Sequence, residues 1–465
     1  MKKIYLIGAI LSFALSSCDG FLDKSPSTSL PVEEAITSMS DLRNAVNGIS
    51  YLMSQDRMTY PADFGIYADL KGEDFKALSN NNQSGPIARY QITKNDELPY
   101  NAYYYFYKAL ANVNKVLSNI DNIPVGNGDE SKFNDYKGQL YAWRAMLHFD
   151  LARIFCQAPT AASDVNAANS GIALSTAVYA PGYVAARSTL KQTYDQIFAD
   201  FETALPLLSK SKANGYINYW AALALRARAH LYNGDYALAL ADAKEVIGCT
   251  EYSLYTKENY TKVWEEAYTT ESLFELTTTI TYNAQRNSIV YYCSSEGYGE
   301  CAFVEGGDLL NYLESHPLDV RSKLVSVETG EYPGKYPAKY PGRESSLYVN
   351  NPKIIRLSDV YLIAAEAALK TTGGNAAAPY INTLRQNRIT GYVDVASVTL
   401  NDILFERRVE LFAENSMAFD YWRNKLSVKN PSVDVVNYND YRTVFPIPQE
   451  EIDMAPGILI QNPEY

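Results

Sequence analysis

The stretch NYWAALALRARAHLYNGDYALALADAKEVI, Asn218 to Ile247, decides the fold. Its small and apolar residues recur at three-to-four spacing on both sides of Asn233-Gly234, which predicts two helices joined by a tight turn. Gly234 suits the position that ends the first helix, Asp235 the cap of the second, and Gly248 its stop. Ala227, Gly234, Tyr236 and Ala239 fall on tetratricopeptide spacing, with small residues where paired helices cross closely. Arg226 stands where that repeat usually has Leu, so the match is partial. One such pair cannot bury its own face, so further pairs have to stack on it. Residues 100–155, 188–208 and 355–388 are the candidates. The expected fold class is mainly α, with helical hairpins stacked against an irregular, loop-rich half that carries a few short strands.

On the N-terminal side, residues 32–53 read as a helix with Ala35, Ile36, Met39, Leu42, Val46 and Ile49 on one face and Pro31 at its start. A loop-rich stretch follows from Gln55 to Pro99. Helices are expected over 100–120 and 132–155, separated by the breaker cluster from Ile123 to Asp129. On the C-terminal side, Ser272 to Tyr282 (SLFELTTTITY) is β-branched and predicts a short strand. The repeat YPGKYPAKYPG at 332–342 is expected to be extended, because each proline biases its predecessor away from helix. Long loops carried on a helical scaffold are usually functional.

The first residues speak for export. Lys2 and Lys3 precede an apolar run from Ile4 to Leu15, too short to span a bilayer, which reads as a signal peptide. It ends in Leu15-Ser16-Ser17-Cys18, the pattern of a lipobox, in which the thiol of Cys18 is acylated and the chain is cut before it. Two or three acyl chains anchor firmly where one would not. Residues 1–17 are thus read as signal peptide, 18–31 as a tethered linker, and 32–465 as a single domain with a helical part (32–250) and a C-terminal part carrying binding loops (251–465). The formal net charge of −12 argues against nucleic acid and against anionic lipid as partners, so membrane contact is expected through the lipid anchor alone. Cys293 and Cys301 are expected to form a local disulfide in an exported loop, with two buried thiols as the alternative.

Four segments stand in order along the chain: Cys18-Asp-Gly-Phe21-Leu22-Asp23-Lys-Ser-Pro26, Asn351 to Arg385 (NPKIIRLSDVYLIAAEAA and onward), Glu406 to Arg423, and Phe445-Pro-Ile-Pro448 to the terminal QNPEY. Together they resemble the SusD/RagB family of outer-membrane nutrient-capture lipoproteins. Asn415 stands where the family usually has Gly, and Glu464 where Gly is common. The resemblance implies a SusD-like α-α superhelix and an outer-membrane, cell-surface location. It also implies a SusC-like TonB-dependent transporter as partner. The implied ligand is a glycan, or a peptide on the RagB side of the family.

Catalysis and metal binding find little support in the residues. Glu406, Arg407, Glu410 and Glu414 fall at helical spacing that favours ion pairs, and with Asp420 and Arg423 they read as a structural network. Carboxylates beside arginines stay ionised, whereas a glycosidase acid needs a raised pKa. A surface glycosidase is therefore the disfavoured reading, and no catalytic residue, metal or cofactor is expected. His148, His230 and His316 are isolated, and no H-E-x-x-H, C-x-x-C or G-x-S-x-G occurs. Tyr is unusually common, 39 residues against 16 Phe and 4 Trp, and it suits surfaces that meet polar ligands. A sugar ring offers a C–H face for Tyr and hydroxyls for Asp, Asn and Arg. The expected ligand-binding residues are Tyr60, Tyr67, Asp69 and Asp74 in the first loop region, and Tyr282, Asn283, Arg286, Tyr291, Tyr292 and Tyr298 in the second. Tyr103 to Tyr107 (YYYFY) is expected to be a helix interface instead.

Overall fold

A computed structural model describes residues 36–80, 83–180 and 182–465. Its principal helices are α1 (Met39–Leu52), α2 (Glu97–Asn119), α3 (Glu130–Phe155), α4 (Leu190–Ala204), α5 (Tyr219–Asn233), α6 (Tyr236–Ile247), α7 (Asp308–Ser315), α8 (Leu357–Thr371), α9 (Gly374–Gln386), α10 (Leu400–Leu411) and α11 (Met417–Arg423). The hairpin at 218–247 forms as its sequence predicts. Asn218 caps α5 by accepting from the Ala221 amide at 2.9 Å, and Gly234 closes it in the left-handed region at φ +88°. Asp235 occupies the cap of α6 without a side-chain cap bond; its carboxylate accepts from Asn233 Nδ2 at 2.7 Å instead. Arg226, the departure from the repeat, pairs bidentately with Asp242 of α6, both bonds at 2.8 Å, so it clamps the two helices together.

The predicted partners stack on this hairpin. Helices α1, α2, α3, α4, α5, α6, α8 and α9 each pack on the next, a succession of neighbours in chain order. The buried faces are apolar: Ala221, Leu223, Ala224 and Ala227 on α5 and Ile363, Ala364 and Ala367 on α8 are all inaccessible. Helix α1 begins at Met39, capped by Ser38, which accepts from the Asp41 amide. It therefore starts later than the expected 32; Pro31 and residues 32–35 lie outside the described residues, as do Cys18 and the apolar run before it.

The loop-rich half contains four two-stranded antiparallel pieces. They are β1 (Phe75–Lys76) with β3 (Ala302–Phe303), β2 (Ser272–Glu275) with β6 (Lys353–Arg356), β4 (Val325–Glu328) with β5 (Gly334–Pro337), and β7 (Val428–Asn430) with β8 (Asp434–Val436). The expected strand over 272–282 stops at Glu275, because only that part finds a partner in β6. The YPG repeat is extended as read, and Gly334–Pro337 of it pairs with β4.

The network around α10 holds the two halves together, but not by pairs within one helix. Glu406 accepts from Arg321 and Arg385, both at 2.6 Å. Glu410 meets Arg388 and Arg356 at 3.0 Å and Arg321 at 3.2 Å. Glu414, beyond the end of α10, takes Arg356 at 2.7 Å and Lys339 at 2.6 Å. Arg407 bridges Asp359 of α8 at 2.9 Å and Asp420 of α11 at 2.6 Å, and Arg423 joins Asp420 to Glu366. All these side chains except Arg385 are buried, that of Glu414 at 6% exposure. Long-range partners win over helical neighbours because several of these carboxylates face two or three guanidinium groups from other elements, which compensates their burial. Burial alone would raise the Glu410 carboxyl; Arg388, Arg356 and Arg321 outweigh it and hold it well below the usual range. Asp359 is likewise held down to about 2 against its own burial by Arg407 and Arg228. Asn415 sits at φ +62° and Glu464 at φ +70°, the left-handed conformation for which glycine is the usual choice. Asn415 gains a role there, as its Oδ1 accepts from the Ala68 amide at 2.9 Å.

Candidate functional site

The residues expected to bind ligand separate into an interior group and a surface group. Tyr60, Tyr67, Asp69, Asp74 and Tyr292, expected to bind ligand, are all buried, which speaks against that role. Tyr60 donates to Asp150 Oδ2 at 2.5 Å, Asp69 accepts from the Asn415 amide at 2.6 Å, and Asp74 accepts from Arg408 Nε at 3.0 Å. The Tyr292 hydroxyl donates to Asp63 at 3.2 Å. Their polar tips are used within the protein. The segment from Met53 to Phe75 lacks helical periodicity yet runs through the core, with Met58, Phe64, Ile66 and Leu70 inaccessible. Burial also drives the Asp69 carboxyl well above the usual range, in a place sealed from substrate.

Cys293 and Cys301 are both buried and stand as free thiols, which corrects the expected disulfide in favour of its alternative. Burial, and next to it a hydrogen bond with Cys293, pushes the Cys301 thiol well above its ordinary value, so it is held unreactive. His148 is inaccessible and accepts from the Ser175 amide at 3.2 Å; burial and Arg144 push it down to about 3, a packed neutral imidazole. The YYYFY run divides by helical face: Tyr103 and Phe106 of α2 point into the core, and Tyr104 is 40% exposed.

The surface group comes from the second loop. Asn283 builds the turn itself: its Nδ2 donates to the Thr279 carbonyl at 2.8 Å and its Oδ1 accepts from the Gln285 amide at 2.8 Å. Arg286 is exposed and lies 5.8 Å from the Tyr291 ring. Tyr291 and Tyr298 are half-buried and meet edge-on at 4.8 Å, so each braces the other. Tyr282 stands apart from these at 48% exposure, and it is the loop residue that the fold brings into a cavity.

That cavity is an open groove of about 630 Å³ lined by the outer face of α1, the turn at 214–216 and the segment 277–282. The size is ordinary for a small-ligand site, about 300–1,000 Å³. Helix α1 contributes Asn47, Gly48, Ser50 and Tyr51, with Ser54 just past its end. The 3.6-residue repeat puts its apolar stripe, Leu42, Val46 and Ile49, in the core and leaves Asn47, Gly48, Ser50 and Tyr51 outward; Ser54 is buried and donates to the Tyr51 carbonyl at 2.9 Å. Tyr51, 47% exposed, meets Tyr282 at 5.1 Å with the rings 85° apart. Tyr282 is fixed by a closed turn: its amide donates to Thr279 Oγ1 at 3.0 Å, and the Thr279 amide donates back to its carbonyl at 2.8 Å. Gly215, at φ +77°, lets the far wall come in; a Cβ there would fall 2.5 Å from Thr277 Oγ1. Asn214, Tyr216, Thr277 and Thr279 complete the lining.

Sequence reasoning placed Tyr282 here but passed over Tyr51, Tyr216, Asn47, Ser50, Ser54, Asn214, Thr277 and Thr279. One signal was present. Tyr51 and Gly48 fall on the polar face of a helix whose apolar stripe is complete without them, and neither an exposed aromatic nor a mid-helix glycine is what a plain solvated face selects.

Stacked helical hairpins carrying a loop-built aromatic groove define a ligand-binding scaffold. The chain belongs to the SusD family. A family model described as starch-binding associating with outer membrane matches residues 20–231, and a second, described as SusD family, matches 307–465. A SusD superfamily protein of Bacteroides thetaiotaomicron is similar at 31% identity, with a TM-score of 0.84 over 92% of this chain and 100% of that one. The surface glycan-binding protein A of Bacteroides uniformis shares the fold at 19% identity and a TM-score of 0.74, over 91% of this chain and 99% of its own. SusD-like protein P38 of Formosa agariphila is 22% identical over 56% of this chain; the match spans about half, 47%, of that relative's length. Among the described residues no helix is long and apolar enough to cross a membrane.

Proposed function

We propose that this protein is a cell-surface lipoprotein, anchored through Cys18, that captures an oligosaccharide in the Tyr51–Tyr282 groove and delivers it to a TonB-dependent transporter. The groove carries the proposal. Two tyrosines at right angles offer a floor and a wall for the C–H face of a sugar ring, and aromatic faces favour such contacts. Around them the hydroxyls of Ser50, Thr277 and Thr279 and the amides of Asn47 and Asn214 are placed to replace the water on sugar hydroxyls. Membership of the SusD family supports a surface capture role. So does the shared fold of a surface glycan-binding protein. The transporter partner rests on the family resemblance.

The role is binding rather than turnover. Purified protein titrated with soluble oligosaccharides in a calorimeter is expected to show saturable heat, with the oligosaccharide recovered intact. Steady release of shorter sugars would contradict the binding role, and saturable binding of peptides with no response to any glycan would replace the ligand.

A further inference from the structure

Resting on the capture role just proposed, we infer that the groove is selective for uncharged glycans and rejects uronate-containing and sulfated ones. Every side chain that lines it is an amide, a hydroxyl or a tyrosine; none carries a charge. A carboxylate or sulfate entering such a groove sheds water and meets no cation in return, which is costly. The cations near in sequence do not line it. Arg57, three residues past Ser54, pairs with Asp63 at 3.2 Å, and Arg286, four past Tyr282, is exposed to solvent beside the Tyr291 ring. Lys212, two residues before Asn214, spends its amine on the Tyr268 and Thr269 carbonyls at 2.8 and 3.0 Å. Arg43 sits one turn before Asn47 on α1, outside the lining and in solvent, where a charge is screened. The formal net charge of −12 adds a long-range repulsion against a polyanion.

Gly48 gives the selectivity its shape. It lies in the middle of α1, where glycine weakens a helix. No packing requires it, since a Cβ built there meets nothing within 4 Å. It lies one turn before Tyr51, so its missing side chain clears the approach to that ring. A glycine kept at the cost of helix propensity, facing open space beside an exposed aromatic, is what a flat sugar ring lying along the helix needs. A large side chain at 48 would fill that room without touching the core.

The test is affinity electrophoresis of the purified protein through gels containing either neutral polysaccharides (starch, mixed-linkage β-glucan, xylan, mannan) or acidic ones (polygalacturonate, alginate, a sulfated galactan), followed by calorimetry on any that retard it. Retardation is expected in at least one neutral gel and in no acidic one. Gly48→Leu is expected to lose at least about tenfold in affinity at an unchanged melting temperature, on the scale of losing an aromatic anchor. Arg43→Ala is expected to bind neutral glycan as the parent does. Retardation by an acidic polymer, weakened in Arg43→Ala, would overturn the neutral selectivity and leave glycan capture standing. Full binding by a folded Gly48→Leu would remove the groove from the account. No retardation by any polysaccharide, with binding of peptides instead, would overturn both.

Discussion

Tyr282 and Tyr51 do different things from the core tyrosines of the chain, and burial separates the two groups. Tyr60, Tyr67 and Tyr292 have inaccessible or nearly inaccessible rings and serve the core. Tyr51 and Tyr282 keep about half their surface in solvent beside polar neighbours. Tyr282→Ala and Tyr51→Ala are each expected to weaken glycan binding by about 1–3 kcal/mol, the range of an aromatic hot spot. Neither should shift the melting temperature appreciably, and calorimetry beside thermal melts reads both. Lys71 offers a test of a different kind. Its amine is buried among Tyr67, Tyr90, Trp422 and Phe445 and donates to the Arg442 carbonyl at 2.6 Å. Burial pushes it down to about 7, with Asp440 opposing. Below that pH the amine is charged both folded and unfolded, and the folded state bears the full cost of burying it. Between about 7 and the ordinary lysine value of about 10.4, only the unfolded chain holds the proton, so stability rises with pH. Urea melts of the parent and of Lys71→Met are expected to converge or cross over this window, the parent gaining on the variant as pH rises. Parallel curves would show that the cage leaves Lys71 unshifted.

Elements whose periodicity carries their burial were readable from the residues alone. The α5–α6 hairpin, its glycine turn and its stacking partners fall where small and apolar residues recur every three or four positions. The strand at β2 was readable as to kind but not length, since its end depends on where β6 stops pairing. Met53 to Phe75 was misread for a physical reason: a segment buried on all sides shows no face, so it carries neither period. The α10 network shows the same limit. Its charges were recognised as structural, but helical spacing points to neighbours within one helix, whereas the partners are Arg321, Arg356, Arg388, Asp359 and Asp420. Arg407→Ala consequently takes one of two cations from each of Asp359 and Asp420, leaving Arg228 and Arg423, and does not touch the partners of Glu406 and Glu410. Thinning the charge compensation of two buried carboxylates is expected to cost up to about 3–5 kcal/mol, the scale of breaking a buried pair. A loss below about 1 kcal/mol in a denaturant melt, against the 0–1 typical of surface pairs, would mean that water reaches the pair.

Taken whole, the molecule is a row of helical hairpins bound by buried ion pairs to a loop-rich half, with the groove where α1 meets the loops at 214–216 and 277–282. The candidate site was half readable from sequence because one wall, the Tyr-rich loop, announces itself by composition, while the other is the plain outer face of a helix. The proposed anchor rests on the first residues alone: Cys18→Ala is expected to move the protein from the membrane fraction to the soluble one. Retention in membranes by that variant, with no acyl label on the parent, would contradict the lipid tether. The central claim is that the Tyr51–Tyr282 groove holds the glycan, and a crystal structure of the protein with an oligosaccharide selected by calorimetry tests it most directly. The account predicts a sugar ring lying over Gly48 against Tyr51 and Tyr282, with its hydroxyls on Asn47, Asn214 and the threonines. A sugar seated elsewhere on the surface, with this groove empty, would contradict it.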